Sequence, residues 1–204
     1  MTAQTRSDQT RQAILDAGRR LVQTGGFGAV GLKAILAESG VPKGSFYYYF
    51  PSKEAFGEAM LQDYVADYLA RIDGLFDRPG TGADKLMAFC EAWLDREREA
   101  GLAGTCLVVK LGAEVSDLSE PMRLALDEGV TALTARLAEI LREGIADGSI
   151  APLQDPDRSA EALYAQWLGA AILSKLSHDQ APLKRALDDT RLRLIPGAGK
   201  GQYQ

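Results

Sequence analysis

Apolar residues recur along this chain at intervals of three and four, and no stretch shows the strict alternation of a half-buried strand. The pattern predicts helices throughout. A first helix spans about Asp8 to Thr24, with Ile14, Ala17, Leu21 and Val22 on one face, and Gly25-Gly26 stops it. A short second helix covers Leu32 to Ser39 and ends at Gly40. A third begins at Pro42, a good first-turn residue, and runs to Tyr49. Phe50-Pro51-Ser52 breaks the chain before a long helix that reaches about Phe76. After the Pro79-Gly80-Thr81-Gly82 loop, five more helices are expected over residues 83–99, 105–115, 120–147, 157–177 and 182–195. The fold class is therefore all-α. The expected organisation is a head over residues 1–53, a larger body over 54–196, and a tail over 197–204. Head and body share the long fourth helix.

Composition adds limits. With 46% hydrophobic and 25% charged residues in 204, the chain falls in the ordinary globular range. Met1 to Thr10 has no apolar core of a secretory signal, and the longest uncharged apolar run, Ala162 to Ser174, is shorter than the roughly 18–20 residues of a spanning helix. A cytoplasmic protein without a membrane partner is expected, with Cys90 and Cys106 as thiols. The net charge is -5, but residues 1–53 hold seven basic groups against three acidic ones, a net of +4, and the remainder holds 16 against 25, a net of −9. A positive head on an acidic body can dock on phosphates.

Two short helices joined by a tight Gly turn at Ser39-Gly40-Val41 form a helix-turn-helix pattern, whose second helix enters the major groove. Lys43, Gly44 and Ser45 stand at the start of that helix, where Lys meets guanine edges or phosphate, Gly permits close approach and Ser offers a hydroxyl. Tyr47, Tyr48 and Lys53 are placed for phosphate oxygens, and Lys33 is grouped with them as DNA-binding. Phe46 and Phe50 fit the small core better.

Cys90 falls on the apolar stripe Leu86, Phe89, Trp93, Leu94 and reads as core. Cys106 follows a Gly-containing loop, with Thr105 as a helix cap. In a first helical turn, the partial positive charge of the helix end favours a thiolate, and Lys110 lies one turn on. A small residue packed under a loop is the competing reading. Lys175 shares a helix face with Tyr164, Trp167, Leu168, Ala171 and Ile172, and an ammonium on an apolar stripe is costly unless paired; snorkelling at the helix end is its alternative. Trp93, Tyr164 and Trp167 are candidates to line a ligand pocket. The single histidine, His178, reads as solvated. With no metal-ligand spacing and no phosphate-cradling loop, the expectations are no enzyme, no metal and no cofactor.

Gly25-Gly26-Phe27, with the run Val41-Pro42-Lys43-Gly44-Ser45-Phe46-Tyr47-Tyr48-Tyr49-Phe50-Pro51-Ser52-Lys53-Glu54, resembles the signature of the TetR family of repressors. The resemblance implies about nine helices, a homodimer through the last two long helices, and a palindromic operator matching the two-fold axis. Two positions depart from the family pattern. Gly31 stands where a capping Thr is usual, and Tyr48 where His is frequent.

The stretches Cys106 to Glu120 and Tyr164 to Lys175 further resemble electrophile-responsive repressors within that family. What this implies is a regulator of enone-reductase and aldehyde-detoxification genes, with a small electrophile or oxidant as inducer and Cys106 as its target. Lys175, if close, is the nitrogen that captures oxidised Cys106, and the resulting shift is expected to reach the recognition helices through the long fourth helix. Similar motifs occur in acrylate-responsive repressors of the same family, so a noncovalent acrylate-like inducer is the second reading.

Overall fold

The computed structural model describes residues 5–94 and 101–197, and among them every regular element is helical. Ten helices follow in order: α1 (Arg6–Gly25), α2 (Leu32–Ser39), α3 (Lys43–Tyr49), α4 (Lys53–Phe76), α5 (Gly82–Glu91), α6 (Leu102–Thr105), α7 (Leu107–Leu118), α8 (Glu120–Asp147), α9 (Pro156–Ser177) and α10 (Ala181–Leu194). No helix among the described residues is long and apolar enough to cross a membrane.

Local chemistry sets the boundaries. Thr5 and Asp8 close a capping box at the start of α1, as Thr81 and Asp84 do for α5, each satisfying otherwise orphaned backbone donors. Gly40 ends α2 at φ 70°, a left-handed cap that glycine adopts without strain. Asp155 caps α9 with Pro156 in its first turn, and His178 ends it in the left-handed region at φ 50°. The N-cap of α2 is Gly31, which supplies no side-chain hydrogen bond.

Two differences from the expected elements matter. Helix α5 stops at Glu91, short of the expected Glu99; residues 95–99 lie outside the described ones. The helix expected from Thr105 is two: the single turn α6, then α7, with Cys106 in extended backbone between them at φ −68°, ψ 113°.

The chain divides into two compact units, residues 1–68 with 110–129, and residues 69–109 with 130–204. The division falls inside α4 and adds most of α7 to the head, where the sequence suggested a border at residue 53. In the first unit Phe46, Phe50 and Phe56 meet at 5.3–5.5 Å between ring centroids, all buried, so both candidate core aromatics of the head are core. Gly18 lets Phe56 in: a Cβ there would stand 2.2 Å from the Phe56 ring. Arg19 pairs with Asp63 and Asp67 and ties α1 to α4. The second unit is built on Phe89, Trp93, Tyr164 and Trp167, with Trp93 6.1 Å from Tyr164 and 6.0 Å from Trp167.

Candidate functional site

In the head, α3 turns one face into the aromatic core and the other outward. Tyr47 is 48% and Tyr48 79% exposed, a large aromatic surface that the fold itself does not use. Lys33, Lys43 and Gly44 are exposed, and Ser45 is half-buried. The Lys43 ammonium lies 5.9 Å from the Tyr47 ring centroid. A Cβ on Gly44 would meet nothing within 4 Å, so the fold has no need of glycine at this position. Tyr49 is held by the Ser7 hydroxyl at 3.1 Å, which braces the end of α3 on the start of α1.

Lys53 differs from the rest of the expected set. Its ammonium donates to the Phe27 carbonyl at 3.0 Å and the Gly28 carbonyl at 3.4 Å, and sits 4.7 Å from the Phe27 ring centroid. The charge read from the sequence as a phosphate contact fastens the loop after α1 to α4.

In the second unit a cavity of about 390 Å³ is lined by Trp93, Ala103 and Gly104 together with residues from the end of α9 and the start of α10. Its polar side is made by Ser174, Lys175, His178 and Asp179. The Trp93 Nε1 and Ser174 Oγ atoms are buried without a hydrogen-bond partner among the described residues, although buried donors are normally paired. Lys175 is exposed at this cavity, not buried on an apolar stripe. His178, read as a solvated loop residue, is an exposed cap residue that lines the same cavity. Of the three candidate pocket aromatics Trp93 is in this wall, while Tyr164 and Trp167 pack against it in the core.

The two thiols have different settings. Cys90 is fully buried on α5, and burial pushes its thiol well above the ordinary range because the thiolate would lose hydration. Cys106 is 1% exposed and stands directly before α7, at the end where unpaired backbone N–H groups concentrate positive charge. Helix α6 packs on α9, which brings Ala103 and Gly104, two and three residues before Cys106, into one cavity wall with Lys175. Lys110, expected to assist the thiol, gives its ammonium to the Thr24 carbonyl at 3.2 Å. Sequence reasoning missed Ser174 and Glu114. Glu114 lies in the second half of α7, and its carboxylate accepts from the Phe27 and Gly28 amides.

Family models match both parts of the chain: that of the bacterial regulatory proteins of the tetR family at residues 14–60, and that of the tetracyclin repressor-like C-terminal domain at residues 82–189. The HTH-type transcriptional repressor NemR of Escherichia coli K12 is 41% identical over 179 residues, covering 87% of this chain and 90% of the relative. The chain belongs to the TetR family of transcription regulators. A crystal structure of the reduced form of E. coli NemR superposes with a TM-score of 0.86 at 39% identity, covering 92% of this chain and 97% of that one. The transcriptional regulator AcuR of Cereibacter sphaeroides is 33% identical over 173 residues, covering 84% of this chain and 79% of the relative. TetR-family regulators bind operator DNA and act as dimers.

Proposed function

We propose that this TetR-family protein is a cytoplasmic repressor that leaves its operator when a small electrophile or oxidant modifies Cys106, so freeing genes for enone-reductase and aldehyde detoxification. The observation that carries this reading is the position of Cys106: a thiol at the positive end of α7, two residues beyond a cavity wall shared with Lys175. The likeness to NemR, a repressor solved in a form described as reduced, supports it.

The chemistry has two branches. An enone adds to the thiolate at its β-carbon, and the resulting enolate takes up a proton, so the adduct contains the whole reagent. Hypochlorous acid instead oxidises sulfur to a sulfenyl chloride and leaves as water. The Lys175 amine then displaces chloride and loses a proton, giving an S–N bond and a net loss of two hydrogens. Because Cys106 is buried, a compact reagent reaches it faster than a bulky one, or a local opening must precede reaction.

Operator contact falls to Lys33, Lys43, Gly44, Ser45, Tyr47 and Tyr48, with Lys53 holding the loop behind them. The dimer forms through α9 and α10, where Ile172, Leu173, Leu176 and Leu192 are 46–75% exposed, more large apolar surface than helices of a lone domain present. Leu173→Glu together with Leu176→Glu is expected to give a monomer by sedimentation and to lose the palindromic site. The cavity beside Lys175 supports a second reading, a noncovalent acrylate-like acid held by the unpaired Ser174 and Trp93 donors. Cys106→Ser separates the two. It keeps operator binding under both, and loses release by N-ethylmaleimide or hypochlorite under the first. Release of the Ser variant by acrylate with unchanged affinity would favour the second.

A further inference from the structure

Residues 26–31 join α1 to α2, and the Phe27–Gly28 peptide within them is held at both its N–H and its C=O. The Glu114 carboxylate accepts the Phe27 amide at Oε2, 3.1 Å, and the Gly28 amide at Oε1, 2.6 Å. On the other side the Lys53 ammonium takes the Phe27 and Gly28 carbonyls. On the Phe27–Gly28 peptide the anion at the N–H and the cation at the C=O complement the peptide dipole, and charge-assisted hydrogen bonds are the strong ones. Lys110, one turn before Glu114 on α7, holds the Thr24 carbonyl as well.

The glycines of this loop are shaped to the carboxylate. Gly26 sits at φ 81°, and a Cβ on it would stand 2.9 Å from Glu114 Oε2. A Cβ on Gly28 would stand 3.0 Å from Oε1. Phe27 is buried between them, with Gly57 of α4 leaving room for its ring: a Cβ there would fall 2.5 Å from Phe27 Cζ. The Gly-Gly-Phe-Gly segment is thus a receptor for Glu114 as well as a helix stop.

We propose that Glu114 is the positioning residue that couples α7 to the operator-binding helices. A movement of α7 pulls the Phe27 and Gly28 peptides, and with them the entry of α2 and the seat of α3. The coupling runs through α7 by these ionised contacts, in addition to the path through α4 expected from the sequence. It rests on operator binding by α3, and it is independent of which inducer acts. Since Cys106 immediately precedes α7, modification there has a direct line to this clasp.

Hydrogen exchange tests it on the full-length protein, free and bound to a duplex that the protein itself selects from a randomised library. In wild type, duplex binding slows exchange of the 110–118 amides about tenfold. In Glu114→Ala the duplex still protects the α3 amides, and the effect on 110–118 falls below about twofold. Glu114→Gln, which keeps the shape and one acceptor, falls between and replaces the Ala variant if that one fails to fold. Equal protection of 110–118 in the Glu114 variants and wild type overturns the proposal, as does a wild type whose 110–118 amides ignore the duplex. A hypochlorite arm separates this proposal from the Cys106 reading. If wild type and Glu114→Ala release the duplex equally, the clasp is not the coupling residue. If wild type does not release at all, the Cys106 reading fails and the exchange result alone decides the clasp.

Discussion

Gly82 at the start of α5 stands directly against Gly144 of α8: a Cβ on Gly82 would lie 2.3 Å from the Gly144 nitrogen and 2.4 Å from its Cα. Both atoms are backbone and cannot swing aside. The same helix end is pinned by Asp147, which accepts the Gly82 amide at 2.9 Å, and by Ser149, which accepts the Ala83 amide at 3.0 Å. Gly82→Ala is therefore expected to destabilise by about 1–3 kcal/mol, as overpacking does. Gly74→Ala, at an exposed position of α4 with nothing within 4 Å of a new Cβ, is expected to stabilise by about 1 kcal/mol. Thermal unfolding of the two variants checks both signs.

On the α3 face stability and affinity should separate. Tyr48→Ala and Lys43→Ala remove exposed groups, so unfolding is expected to change by less than about 0.5 kcal/mol. Operator affinity should fall in both, and Lys43→Ala should reduce the slope of log K against log salt by about one if its ammonium meets a phosphate. Lys53→Met is expected to lower the thermal midpoint, because the Phe27 and Gly28 carbonyls lose their ammonium.

The thiols should be distinguishable in the folded protein. Cys90 is buried with its thiol pushed up, so the nucleophilic thiolate is scarce. After a pulse of iodoacetamide, peptide mapping should find Cys90 unlabelled until denaturant is added. Rapid Cys90 labelling in the native state would contradict this assignment.

Acid should unfold the protein through its capped and paired carboxylates. The Thr5 hydroxyl holds Asp8, the Thr81 amide holds Asp84, the Ser149 hydroxyl holds Asp147, and the Arg136 guanidinium holds Asp73, all below the usual carboxylate range. A folded value below the unfolded one, about 3.9 for Asp, gives stability that is complete above that value and lost as pH falls through the folded ones. The thermal midpoint should be flat from about pH 5 to 7 with respect to these groups, and decline below about pH 4. In Asp84→Asn that decline should be shallower.

The helices were legible where local chemistry sets them. Gly40 marks an end by backbone constraint, and α2 and α8 have the limits expected from their periodic stripes. The turn α6 was not legible, because the glycines around it read as a loop, and Cys106 falls in the extended backbone after it, not in a first helical turn. The candidate site was partly legible. Cys106 and Lys175 stood out as chemically unusual residues on helices, whereas Ser174 became notable only once its hydroxyl was seen buried without a partner. Glu114 and Lys53 meet at the Phe27–Gly28 peptide from 86 and 26 residues away in sequence, a relation that no local pattern encodes.

On the proposed function, Cys106 modification switches operator binding. Intact-mass spectrometry with peptide mapping after one equivalent of hypochlorite, beside an operator-binding assay on the same samples, tests it most directly. The expected result is a loss of two hydrogens mapping to a Cys106–Lys175 crosslink, rising in step with operator release and absent from Cys106→Ser. An unmodified Cys106 in released protein, or full modification of protein that still holds its operator, would contradict it.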